Sequence, residues 1–313
     1  MTGSLITLLY GLAGALLLLA SIYLWIRERL SPSVRWFIVT CLSLLAWLIT
    51  LYFFQASTDP QVVLLIGRLN FAAASISVYG VYRLVRTVAS LRATQYDKVL
   101  LLLTVLLSGM SALTPWIDQA ELITSTGSGS HETIYGSLFP LYLVHLVGLL
   151  VAALWTAFRQ RREIVWSSGS HIKDQLLLLG WGILATGGVS LLTNIVLPYG
   201  FGNFDYIMAG PLSTVLLLLA VAYAVVRHQL FDIRIFLRKT LVLGIALSLV
   251  LAAYSALVLL VTDQFASSES GGVTRFGVLV LAFSFDPIRR FLEKRIDRLL
   301  FSETRRPTKV HAR

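Results

Sequence analysis

Residues 222–240 read AYAVVRHQLFDIRIFLRKT. An apolar run ends here on Arg227 and His228, an amphipathic piece with one carboxylate (Asp232) follows, and Arg238 and Lys239 precede a second apolar run. About 20 apolar residues in a helix cross the roughly 30 Å of bilayer hydrocarbon. A charged hinge between two such runs is the pattern of a polytopic membrane protein.

Working outward, the pattern recurs along the chain. The 313 residues are 57% hydrophobic and 13% charged, with a mean hydropathy of +0.78, whereas about a quarter of a soluble domain is charged. Apolar runs lie near 4–26, 34–55, 61–82, 98–117, 137–158, 174–197, 206–226 and 239–261, with a shorter ninth near 271–285. The expected fold is an all-α transmembrane helix bundle. Residues 1–229 make a seven-span sensory bundle, 230–285 an amphipathic junction with two further spans, and 286–313 a basic amphipathic exit helix and tail in the cytoplasm.

Charge sets the expected orientation. With the N-terminus outside, 24 of the 26 Lys and Arg fall on the inner side, against Arg275 outside and Arg68 within a span. The outer gaps instead hold Asp59, Asp118, Glu121, Glu132, Asp205, Asp263 and Glu269. The positive-inside rule then places the C-terminus in the cytoplasm. The net charge of +10 is accounted for by anionic lipid headgroups, so the bilayer and not nucleic acid is the expected partner. The first run is expected to be a span, because no basic segment precedes it and Arg27 and Arg29 follow as a stop. No asparagine begins a glycosylation sequon, which fits a bacterial inner membrane.

The same residues exclude several functions. All five lysines lie in gaps, at the edges of runs or in the tail, which removes a retinal Schiff base inside the bundle. No acid falls at membrane depth, which weighs against a proton relay. The single Cys41 forms no intrachain disulfide. No phosphate loop, zinc spacing or Ser, His and Asp set is present, so neither catalytic residue, cofactor nor metal ion is expected.

A few polar residues remain within the spans. Arg68, His145 and Asn194 lie at similar depth in the outer half, beneath the loop LPYGFGNFDY at 197–206 with Tyr199 and Phe204. An intramembrane arginine is a site hypothesis by default, and these five residues are the expected ligand-binding set. The competing reading makes Arg68 a snorkelling or carbonyl-bound cation, His145 and Asn194 ties between helices, and the loop an aromatic belt. Asn70 is about 200° around the helix from Arg68 and shares its side with Ala73, Ala74 and Ser77, a face suited to close packing around one polar tie. Pro198 is expected to end the sixth span.

The tail FDPIRRFLEKRIDRLLF at 285–301 starts with Asp286 as N-cap and Pro287 at the first helical position. Ile288, Leu292, Ile296 and Leu299 form its apolar face, opposite Arg289, Arg290, Lys294, Asp297 and Arg298. Such a helix lies on a membrane or pairs with a copy of itself.

AYAVVRHQLFDIRI, FDPIRRFLEKRIDRLLF and the NIVLPYG of the sixth span together resemble the membrane input region of bacterial sensor histidine kinases of the N-terminal seven-transmembrane class. The resemblance implies a sensory region that passes an extracytoplasmic or intramembrane signal to a cytoplasmic output, such as a two-component histidine kinase. It assigns signal coupling, not catalysis, to Arg227, Phe231, Asp232, Asp286, Pro287, Arg289, Asp297 and Arg298. It implies a cytoplasmic kinase or response module as partner, beside the homodimer that the apolar face of the exit helix itself suggests. Where the family continues with sensor, phosphoacceptor and ATP-binding modules, this sequence has only SETRRPTKVHAR at 302–313. The expectation is that it does not autophosphorylate by itself. Two other readings stay open: a carrier for an anionic or amphipathic substrate with Arg68 as counter-charge, and a scaffold whose basic tail binds lipid or a partner.

Overall fold

The computed structural model describes residues 2–28, 31–123, 131–163 and 170–228. Helices account for most of them: α1 (Thr2–Glu28), α2 (Pro32–Ala56), α3 (Pro60–Val88), α4 (Gln95–Leu113), α5 (Phe139–Glu163), α6 (Ser170–Leu191), α7 (Ala209–Leu212) and α8 (Thr214–His228). Five stretches are long and apolar enough to cross a membrane, namely Pro32–Ala56, Pro60–Val88, Gln95–Leu113, Phe139–Gln160 and Ile172–Gly200. Shorter apolar stretches, Leu9–Ile22 and Ala209–Val221, fall on α1 and on α7 with α8. All the packing below belongs to one compact unit, Ala13–Ile233.

Within it α3 is the central element, in contact with α2, α4, α5 and α6. Between Gly67 and Gly80 its buried residues are small apart from Tyr79, namely Gly67, Ala72, Ala73, Ser75, Ser77 and Gly80. Small residues let membrane helices approach closely where hydrophobic burial gives little drive to association. At Gly80 a Cβ would lie 2.7 Å from Thr40 Oγ1 and 3.2 Å from Thr40 Cα, so α2 and α3 meet backbone to backbone there. Nearby, Asn70 Nδ2 donates to Trp47 O (3.1 Å) and Thr50 Oγ1 (3.0 Å) on α2.

One end of α3 carries a buried ionic knot. Arg83 Nη1 and Arg86 Nε lie 3.0 Å and 3.1 Å from the two carboxylate oxygens of Asp97 on α4. Both are ion pairs by distance, without hydrogen-bond alignment. Aligned bonds come from the Tyr82 hydroxyl, which donates to Asp97 Oδ1 at 2.7 Å, and the Thr94 amide, which donates to Oδ2 at 2.6 Å. Thr94 and Asp97 close a capping box at the start of α4, and the Arg83 guanidinium sits over the Trp36 ring at 5.3 Å.

At the other end the all-α expectation is corrected. Helix α4 stops at Leu113 instead of running to 117, because Pro115 forces Thr114 into an extended conformation (φ −134°, ψ 159°). Strands β1 (Asp118–Ile123) and β2 (His131–Tyr135) then form an antiparallel hairpin. A second correction concerns Pro198. The chain from Leu192 to Gly200 continues α6 as a π-helix with Pro198 inside it. In an α-helix the proline ring meets the carbonyl four residues back, and the wider i to i+5 turn relieves that contact. The turn closes only where Gly202 takes a φ of +64°, the left-handed region that glycine enters without a steric cost.

Candidate functional site

A cavity of about 130 Å³ opens between α2, α3, α5 and α6, beneath the hairpin. Apolar and aromatic side chains make most of its wall, among them Leu44, Trp47, Phe54, Phe71, Tyr142, Ile183 and Ile207. Its polar side chains are few. Asn70, Ser77, Tyr142, Thr186, Ser190 and Asn194 come from the helices, and Glu121, Thr133 and Tyr135 from the hairpin.

The helical hydroxyls are engaged. Thr186 Oγ1 donates to Ser213 O (2.9 Å) and Ser190 Oγ to Gly210 O (3.2 Å), tying α6 to α7 and its flank. Asn194 Nδ2 donates to Thr193 Oγ1 (2.9 Å) and occupies space that only a glycine at 210 leaves open.

The hairpin end differs. Asp118 is fully buried, and its carboxyl faces that of Glu121. Residues three apart in a regular strand point to opposite faces, yet these two share one. The register shift between Asp118 and Ala120 accounts for it, since a bulge re-aims the side chains that follow. Both carboxyls reach Gly67 of α3, where a Cβ would stand 2.8 Å from Glu121 Oε1 and 2.9 Å from Asp118 Oδ2. Thr133 Oγ1 donates to Glu121 Oε1 at 3.0 Å. Neither Asp118 oxygen nor Glu121 Oε2 meets a protein donor.

Burial pushes the Asp118 carboxyl up to about 7, with the nearby Arg68 charge pulling the other way. Burial and the Asp118 charge push Glu121 up to about 9, with the Thr133 hydrogen bond opposing. A proton shared between the two carboxyls satisfies oxygens that no protein donor reaches, and between those two values the pair holds one.

The residues expected from the sequence to bind a ligand are not all gathered here. Asn194 and Phe204 line the cavity, whereas Arg68, His145 and Tyr199 do not. Arg68 Nε donates to the Asp118 carbonyl (3.1 Å) and so holds β1 against α3. His145 Nε2 pairs with Thr104 Oγ1 (3.0 Å) between α5 and α4. Tyr199 packs edge-on against Tyr135, with ring centroids 5.2 Å apart. Arg227 lies on α8, and Phe231, Asp232, Asp286, Pro287, Arg289, Asp297 and Arg298 lie outside the described residues.

Glu121, Asp118 and Thr133 are what sequence reasoning missed. A signal existed: HETIY at 131–135 carries β-branched and aromatic residues after a Ser/Gly-rich connection, the mark of a strand. What places Glu121 against the cavity is the bulge, which leaves no composition cue.

The hairpin, the cavity and every helix apart from the first turns of α1 fall within residues 9–234, which match the family described as the N-terminal 7TM region of histidine kinase. The chain belongs to this family. Its matched part is a membrane sensory input region and non-catalytic. The match runs past α8 through Phe231 and Asp232 of the hinge. No curated protein and no solved structure matches the chain.

Proposed function

We propose that this chain is a seven-span receptor region in a bacterial inner membrane, N-terminus outside and C-terminus in the cytoplasm. It senses the occupant of the cavity beneath the hairpin and passes that state to a histidine kinase output. The carrying observation is that α3 joins both ends of the described bundle. It meets the hairpin acids at Gly67 and holds Asp97 through Arg83. These positions are about 24 Å apart along one helix at 1.5 Å per residue. A ligand that moves the hairpin therefore loads the same rod that carries the ionic knot.

The charge count supports this orientation, with the hairpin outside and the knot at the cytoplasmic face. Domain boundaries at 229 and 285 follow from the apolar runs. In this reading the hinge at Arg227, Phe231 and Asp232 receives the change from α8 and delivers it through two further spans. The exit helix, with Asp286, Pro287, Arg289, Asp297 and Arg298, carries it to a homodimeric kinase module. To move the output from mostly off to mostly on, the ligand must favour one packing by about 5 kcal/mol. A carrier that used Arg68 as counter-charge finds less support, because Arg68 is engaged with the hairpin backbone instead of the cavity.

A chimera tests the proposal. Residues 1–301 joined to a histidine kinase's dimerisation and catalytic modules are reconstituted in vesicles, and Ala74, in the cavity wall, is replaced by Phe to occupy the space. The expected result is an autophosphorylation rate that differs severalfold between the two chains. Equal rates in both overturn the sensory reading.

A further inference from the structure

We infer that the cavity is a binding site for a small apolar amine, whose ammonium group docks on Glu121 between the aromatic rings at the hairpin end. The inference rests on the sensory reading of the same cavity and adds the chemistry of the occupant.

Size and wall come first. A cavity of about 130 Å³ is close to the engineered apolar cavity of about 150 Å³ that holds benzene in another protein. A ligand of six to ten heavy atoms is thus the scale, with an apolar body against Leu51, Phe54 and Ile207, which pack together beside Gly67.

Charge comes next. Glu121 is the carboxylic acid among the residues lining the cavity, and its Oε2 is buried without a donor. Behind it Asp118, fully buried, also presents two oxygens without donors. The neighbouring cation, Arg68, spends its Nε on the Asp118 carbonyl. The site offers acceptors, and an anion or a carboxylate ligand would meet Glu121 head-on.

The rings supply the third observation. Trp47, Phe71, Tyr135 and Tyr142 all line the cavity. Phe71 stands edge-on to Tyr135 at 6.4 Å and to Tyr142 at 5.7 Å. Aromatic rings in the wall of a cavity that also holds a carboxylate, with Tyr135 beside Glu121, are the chemistry that recognises an ammonium, through cation–π attraction and a charge-assisted hydrogen bond. The incoming ammonium replaces the proton held between Glu121 and Asp118, and that proton leaves to solvent. The ionisable groups around the exchange are Asp118, Arg68 and Tyr135.

Binding to the full chain in lipid nanodiscs decides the matter, with three probes of one shape: cyclohexylamine, cyclohexanol and cyclohexanecarboxylate. Empty nanodiscs correct for partition into lipid. The expected result is saturable binding of the amine at least tenfold tighter than the alcohol, no binding of the acid, and proton release on amine binding. Glu121→Gln should bring amine and alcohol together. Trp47→Leu, which keeps the carboxyl pair, should weaken the amine more than the alcohol and decides the matter if the first variant does not fold. Alcohol or acid binding as tightly as the amine, or an amine indifferent to both substitutions, overturns the amine assignment while leaving a ligand cavity. Saturable binding by none of the three overturns the cavity reading as well.

Discussion

The Arg68 guanidinium donates its Nε–H to the main-chain carbonyl of Asp118, 3.1 Å away and fifty residues along the chain. Ser111 Oγ in turn donates to the Arg68 carbonyl at 2.9 Å, so α3, α4 and β1 are tied at one point. A costly intramembrane cation is thereby satisfied by backbone and by the nearby carboxyls, not by a ligand. The hairpin is thus held to the bundle by Arg68, by the seat of two acids on Gly67, and by His131, whose Nε2 lies 3.0 Å from the Ser57 carbonyl oxygen.

The gap is the simplest part to test. Gly67→Ala places a methyl within 3 Å of both hairpin carboxyls, and overpacking of this kind costs about 1–3 kcal/mol. Amide exchange at 131–135 should speed up while exchange in α2 and along the far half of α3 stays as it was. Unchanged hairpin protection would mean that the acids do not rest on α3.

Hairpin docking should depend on pH. In water the two carboxyls titrate near their ordinary values of about 4, and when docked they are raised to about 7 and about 9. Between those limits the docked state binds more protons, so docking is strongest below about pH 4 and weakens as pH rises through the docked values. It levels off above them. Exchange at 131–135, corrected for base catalysis, should therefore lose protection towards pH 9. Glu121→Gln should shorten that window from the alkaline side.

Arg68→Met should loosen the hairpin and also move the titration. The arginine charge lowers the Asp118 value, so its removal raises it further. The infrared carbonyl band of the protonated carboxyl should persist to higher pH in the variant than in the parent. A band that vanishes at lower pH would contradict the placement of Arg68 beside the pair.

The knot at the other end of α3 should behave as a buried ion cluster. Asp97→Asn leaves Arg83 and Arg86 without their anion, a loss of about 3–5 kcal/mol for a buried pair. Thermal unfolding in nanodiscs should shift down by several degrees. The double change with Arg83→Met should recover part of the loss, because it removes one of the stranded charges.

Much of this protein was legible in its residues. Apolar runs separated by basic gaps predict membrane helices because the hydrocarbon core demands a fixed length and a closed set of backbone hydrogen bonds. The observed helices α1 to α6 and α8 lie on the first seven of those runs. The hinge motif and exit helix named the family, which the match over 9–234 shows. The site was legible only in part. Asn194 and Phe204 were read as candidates from polarity and aromatic character, and both line the cavity.

What the sequence by itself determined is the part governed by local period and by solvent: which segments are apolar, how long they are, and in which gaps between them the cations gather. What only the tertiary structure decided is the partner of each polar group. Asp118 and Glu121 read as two acids of an outer gap, and a one-residue bulge places both on Gly67. Arg68 reads as a cation seeking a ligand, and a carbonyl fifty residues away takes its proton donor. Such pairings depend on register and on the approach of distant backbone, which no periodicity along a single segment records.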